Sequence, residues 1–140
     1  MPNVNAFLIC ENITNGDASR PIPTIEGPAT MLRPMFIPCT HSFAFLIGIA
    51  DLDLKTQHKV NMIITSPDNE VVQKVEYNTN TEVSENPVDT MIPNEYKGYI
   101  FMTNIRNMVI KKEGRYVLNV SVDDNEIDEM VIPVYKKSEV

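Results

Sequence analysis

The sequence predicts an all-β protein, a single antiparallel β-sandwich of about seven or eight strands with two long irregular segments. Three observations predict it. The first is the closing third of the chain, where Tyr116, Leu118, Val120 and Val122 alternate with Val117, Asn119, Ser121 and Asp123. Side chains on a strand point to opposite faces in turn, so this run presents one apolar face and one largely polar face. The second is the recurrence of short apolar runs bounded by turn-forming residues along the whole chain. The third is that no segment carries the i, i+3, i+4 apolar spacing of an amphipathic helix.

The elements follow in order. Asn3–Thr14 reads as a first strand, with Val4, Ala6, Leu8 and Cys10 on one parity and Phe7 and Ile9 on the other. From Asn15-Gly16-Asp17 the chain turns irregular, because Pro21, Pro23, Gly27 and Pro28 oppose helix and remove ladder donors. Met31 to Cys39 is apolar but broken by Pro34 and Pro38, which suits an edge strand or an extended loop packed on the core. Ser42–Ala50 is apolar on both parities and reads as a central strand covered on both faces. His58–Thr65 alternates, with Val60, Met62 and Ile64 on one face. Ser66-Pro67-Asp68-Asn69 is a turn with proline preset for its second position, and Val71, Val75 and Tyr77 return from it as a hairpin.

Asn78 to Tyr96 breaks the alternation. It is rich in Asn, Thr, Glu and Pro, with Met91-Ile92 as an apolar pair and room for a short helical turn. Loops of this length tend to carry function. Tyr99–Ile110 is the next strand, with Tyr99, Phe101 and Ile105 on one parity. A turn at Lys111-Lys112-Glu113-Gly114 leads into the closing hairpin. There Asp124-Asn125 supply residue types that tolerate positive φ, and Met130, Ile132 and Val134 resume the alternation. Residues 136–140 read as a frayed tail. A chain of 140 residues with this pattern is one domain, residues 1–140, and its character is immunoglobulin-like or C2-like. A closed barrel is the alternative architecture.

Composition limits the function. At 43% hydrophobic the chain has the material for a core. Twelve basic against 19 acidic residues leave a formal charge of −7, which opposes broad nucleic-acid binding and adsorption to anionic lipid. No run approaches the roughly 20 apolar residues that span a bilayer. The opening Met1-Pro2-Asn3 has no basic region of a secretory signal, so the expected compartment is the cytosol, with Cys10 and Cys39 as reduced thiols.

Three pieces resemble a family of small single-domain proteins of unknown function found in bacteria and their phages. They are residues 4–11 (Val4-Asn5-Ala6-Phe7-Leu8-Ile9-Cys10-Glu11), residues 58–69 (His58 through Asn69) and residues 114–123 (Gly114 through Asp123). Where that family has glycine in two turns, this chain has Asn69 and Asn125. The resemblance implies a sandwich fold, offers no catalytic motif, and points to a phage or mobile-element protein acting on a host or mobile-element factor.

Candidate chemistry is sparse. Cys39 and His41, two apart on an extended segment, face one side, and an imidazole there would activate a thiolate; the alternative is a buried thiol beside an exposed histidine. Zinc spacing, phosphate-cradling glycine loops and nucleophile elbows are missing from the sequence. If the strands alternate direction, one end gathers Asp51, Asp53, Asp123 and Asp124 with the Asn78–Tyr96 loop, the oxygen-rich pattern that Ca²⁺ or a small ligand requires. The competing explanation is that aspartates favour wet turns through their own backbone hydrogen bonds. Eight methionines include Met31, Met35 and Met91 in irregular segments, and these, with Ile92, are the candidates for contact with a protein partner. Sandwich edges can pair across a two-fold axis, so a homodimer is one arrangement the sequence allows. The expectation is a non-catalytic, cofactor-free protein-interaction module.

Overall fold

The structure is a computed structural model that describes residues 1–14, 22–79 and 91–137. Among these residues are eight strands, β1 (Asn3–Thr14), β2 (Thr24–Ala29), β3 (Cys39–Ala50), β4 (Lys59–Thr65), β5 (Val71–Asn78), β6 (Gly98–Ile110), β7 (Gly114–Val122) and β8 (Asn125–Val134), with a 3₁₀ turn at Asn94–Tyr96. They form two four-stranded antiparallel sheets in the orders β2-β1-β3-β6 and β5-β4-β7-β8. The predicted antiparallel β-sandwich is what the chain adopts.

Alternation explains the core. Tyr116, Leu118, Val120 and Val122 are all buried, as are Val60, Met62 and Ile64 opposite them on β4. From the first sheet Phe43, Phe45, Ile47, Ile49, Phe101 and Ile105 meet them. The sheets are also tied by polar links. The Tyr77 hydroxyl lies 2.7 Å from Thr103 Oγ1, joining β5 to β6. Within the first sheet Asn104 reaches past β3, accepting from Ile13 N at 3.2 Å and donating to Ile13 O at 3.0 Å, so its amide holds β1 beyond Cys10, where the β1–β3 pairing stops.

Several elements differ from the sequence reading. β2 is a strand inside the Pro-rich stretch, accommodated at a sheet edge where Pro28 removes a donor nothing needs. The register shifts between Val4 and Ala6, so Val4, Phe7 and Ile9 face the core while Ala6, Leu8 and Cys10 face out. The bulge, rather than a single parity, settles which face is buried. Of the two forms expected for Met31 to Cys39, the chain takes the packed loop up to Pro38, anchored where buried Leu32 donates to Pro133 O at 2.9 Å, and Cys39 already opens β3. The β7–β8 turn sits one residue earlier than Asn125: Asp123 and Asp124 have φ of 51° and 67°. A two-residue turn of this hand needs positive φ at both central positions, and aspartate tolerates it. The rest of the predicted irregular segments, at 15–21 and 80–90, and the last residues of the predicted tail, 138–140, lie outside the described residues.

The connections sort into two ends. β3 leaves its sheet at Ala50, paired with Asn3 and Gly98, and begins at Cys39, paired with Ile110. Residues 51–58, 91–97 and the 123–124 turn therefore share one end, called upper here. Residues 30–38, 66–70 and 111–113 share the lower end. The 12 residues of β3 separate the ends by roughly 36 Å at strand rise.

Candidate interaction surface and the loop end

The upper end gathers the aspartates that the sequence singles out, but their carboxylates do not converge. Asp51 accepts the Met1 ammonium at 2.6 Å. Asp53 Oδ1 accepts from Lys55 N at 2.9 Å, a local turn bond. Asp123 accepts from His58 Nδ1 at 2.7 Å and from Lys59 N at 3.0 Å. Asp124 is exposed in its turn. Among the described residues no three His, Cys, Asp or Glu side chains come together as a metal site.

His58 is the residue that the sequence reading passed over, having taken it only as the first position of a strand. Its Nδ1 meets Asp123, its Nε2 lies 2.8 Å from the Asp53 carbonyl and 3.1 Å from Thr56 Oγ1, and its backbone N donates to Thr79 Oγ1 at 2.8 Å. One side chain thus links the β3–β4 connection to the β7–β8 turn, while its backbone holds the end of β5. The hydroxyl–imidazole–carboxylate line of Thr56, His58 and Asp123 has the outline of a nucleophile and its base. The Asp53 carbonyl decides against that use. A carbonyl only accepts, so Nε2 carries a proton; Nδ1 donates to a carboxylate, so it carries one as well. A doubly protonated ring has no lone pair to activate a hydroxyl.

The ionisation of the pair agrees. Burial pulls His58 toward neutrality, but the hydrogen bonds to Asp123 and the Asp53 carbonyl and the charges of both aspartates outweigh it and raise its pKa. The bond from His58, with that from Lys59 N, lowers the pKa of Asp123. The raised histidine contributes stability that is complete below its ordinary 6.5 and fades as pH rises through the folded value. The lowered aspartate contributes stability present above its ordinary 3.8 and lost as pH falls through the folded value. Thermal melts of the native chain and of His58→Gln across pH should therefore differ most between those two ordinary values, and converge as pH rises past the raised histidine value or falls past the lowered aspartate value. A Tm difference that is flat in pH would contradict the charged pair.

Cys39 and His41 share the inward side of β3, yet the thiol is pushed up by burial while the imidazole is pushed down by burial and by Lys137. Proton transfer from sulfur to nitrogen is unfavourable from both sides, the opposite of an activated cysteine. Both Cys10 and Cys39 are free thiols. At the lower end a cleft of about 270 Å³ opens between β5 and β6, lined by Val71, Val109, Lys111, Lys112 and Tyr116 among others. Its lysines face acids, Lys112 Nζ lying 2.7 Å from Asp68 Oδ1.

The apolar candidates do not form one patch. Met35 is exposed beside exposed Phe36 at the lower end, with Met31 half-buried, whereas Met91 and Ile92 are exposed at the upper end. The length of β3 lies between them.

A continuous apolar surface exists elsewhere, on the outer face of the first sheet. Cross-strand neighbours share a face, so three rows can be read from the register: Ala6-Gly48-Ile100, Leu8-Leu46-Met102 and Cys10-Ala44-Asn104. None of these nine positions is charged, and eight are apolar or glycine. Cys10, Ile13 and Ala44 form a small buried cluster there, separate from the main core, with Leu46 and Met102 packed on it. Leu8, Leu46 and Met102 remain partly exposed, and Ile100 is 64% exposed. The outer face of the second sheet is different. Two of its rows, Glu76-Asn61-Ser121-Glu126 and Lys74-Ile63-Asn119-Glu129, each carry two charged side chains, and only the four-stranded row nearest the lower end, Val71-Thr65-Val117-Val131, is uncharged. The signal for the apolar face was in β3, whose two apolar parities suggested cover on both sides; the described residues put no second layer over its outer side.

No helix of the described residues is long and apolar enough to cross a membrane. A search of curated proteins finds no match to the chain. Among solved structures, an immunoglobulin-like protein from Pseudomonas aeruginosa is similar at 13% identity, covering 96% of each chain with a TM-score of 0.38. Residues 5–135 match a family of unknown function, DUF6941, and with nearly the whole sandwich inside that match the chain belongs to it.

Proposed function

We propose that this chain is a non-catalytic protein-binding module that works in the cytosol, and that its working surface is the outer face of the β2-β1-β3-β6 sheet. The observation that carries the reading is the contrast between the two outer faces. On a chain of formal charge −7, nine uncharged positions lie in register on three adjacent strands, with Ala6, Leu8, Leu46, Ile100 and Met102 as the apolar side chains that reach the surface and Cys10 and Ala44 buried beneath them. Water gains when such a surface is covered, and soluble domains keep large apolar patches for contacts. The matching partner surface is apolar and weakly charged. The family resemblance supports a host or mobile-element factor as its source. The ionisation of Cys39, His41 and His58 supports the absence of catalysis at those residues.

Affinity capture with paired variants tests the reading. Leu46→Lys places a charge in the middle row of the apolar face, and Ile63→Lys places one on the polar face of the other sheet. Both side chains are only half-buried, so each variant should keep the native Tm within a few degrees. The partner should be lost with Leu46→Lys and retained with Ile63→Lys. Equal retention by both, at matched Tm, would exclude this face.

A further inference from the structure

Four strands end the two sheets, and three of them carry a device against further pairing. β2 has six residues and contains Gly27 at φ +63° followed by Pro28. β8 carries Glu126, Asp128, Glu129 and Pro133, and its end is covered by Leu32, which donates to Pro133 O and accepts from Tyr135 N at 3.1 Å. β5 has eight residues, carries Lys74 and Glu76, and shifts register at its start. β6 has 13 residues and one charged side chain, Arg106. Its backbone is regular from Gly98 to Ile105, up to the irregularity around Asn107 with φ 55°. From Gly98 to Ile105 the strand is regular and uncharged, and such an edge is a template for another strand.

The direction of its free groups is readable. Met102 O accepts from the Tyr77 hydroxyl at 3.4 Å, from the side away from β3, so the backbone groups of Ile100, Met102 and Asn104 point to the open edge. The Tyr77 hydroxyl has a shorter contact with Thr103 Oγ1, and a carbonyl has two lone pairs, so Met102 O stays available to a ladder.

We propose that two copies of this chain join edge to edge through β6, antiparallel across a two-fold axis, into one continuous eight-stranded sheet. Charge selects a second copy. A register centred on Met102 sets Ile100 of one copy opposite Asn104 of the other, and Gly98 opposite Arg106. The single charged side chain of each strand then faces a residue without one, and two acidic chains meet with no like charges in contact. The register also extends the Leu8-Leu46-Met102 row directly into its counterpart, doubling the apolar face. Ile100, Met102 and Asn104 belong to both the edge and the face, but the edge pairs through their backbone groups and is read by self-association, so this proposal stands or falls without the partner reading.

Sedimentation equilibrium of the full chain from 1 to about 100 µM tests it, a range in which specific edge contacts are measurable. A reversible monomer–dimer equilibrium is expected. Ile100→Pro removes an N–H that faces the open edge and meets no partner among the described residues, and Ile100→Lys adds a guard charge to the edge; each should weaken the dimer at least about tenfold, with the Tm of the monomer unchanged. The lysine variant keeps the test valid if proline disturbs folding. Leu46→Lys should leave the dimer intact. A chain that is monomeric throughout overturns the proposal. So does a dimer indifferent to both Ile100 variants, or one lost only with Leu46→Lys.

Discussion

Phe45→Ala is expected to lower the unfolding free energy by about 3–5 kcal/mol, the range for a fully enclosed phenylalanine. Phe45 has no exposed surface and sits in mid-β3, paired with Ile9 on one side and Thr103 on the other. Its ring centroid lies 6.5 Å from that of Phe7 and 6.3 Å from that of Phe43. Ladders on both sides of β3 hold the backbone, so the walls of the cavity cannot close inward and the packing loss adds to the lost transfer energy. Guanidinium unfolding should show a lower midpoint with the slope preserved. The neighbouring Leu46→Lys is the informative contrast. It lies one residue away on the opposite face, where the cost should stay below about 1 kcal/mol, as for substitutions at the surface. Similar losses for the two variants would contradict the assignment of faces on which the interaction surface depends.

Gly98→Ala is expected to cost about 3 kcal/mol, toward the upper end for inserting a methyl group into a packed site. A Cβ at Gly98 would fall on the Ile49 carbonyl oxygen, with Ile49 C at 2.8 Å and Ala50 Cα at 2.9 Å. These are backbone atoms of the central strand, so no side-chain rotation relieves the contact. Relief requires lifting the start of β6 from β3, which breaks the ladder at Ala50–Gly98 and strains the bond from Leu52 N to Lys97 O. Amide exchange should therefore quicken first at 49–52 and 97–100, while the closing hairpin keeps its protection. A variant with native stability and native exchange at those amides would show that the close approach is not there.

Much of this fold is written in local patterns. The closing hairpin was legible because Tyr116, Leu118, Val120 and Val122 recur at every second position and all four are buried. The Ser66–Asn69 turn was legible for the same kind of reason: Asn69 N donates to Ser66 O at 2.9 Å, and Asn69 takes the positive φ of 64° that its side chain tolerates. Gathering Asp51, Asp53 and Asp123 at one end followed from strand direction alone. What their side chains do there did not follow, since His58 is 65 residues from Asp123 and nothing local pairs them. β2 was hidden because Pro28 and Gly27 argue against a strand everywhere except at an edge, and edge position is a tertiary fact. The outward set of β1 was ambiguous because one bulge near Asn5 inverts the parity of every earlier residue. The apolar outer face was half visible. Ala44, Leu46 and Gly48 announced a second apolar side to β3, but whether a layer covers that side depends on how many strands the chain has left to build one.

Amide hydrogen exchange of the chain, alone and saturated with the partner it captures, tests the account at its centre. The prediction is slowed exchange in residues 6–10, 44–48 and 100–102, with 61–65 and 117–121 unchanged. Protection concentrated in 61–65 and 117–121, or in the 51–58 and 91–97 connections, would place the working surface elsewhere and contradict the account.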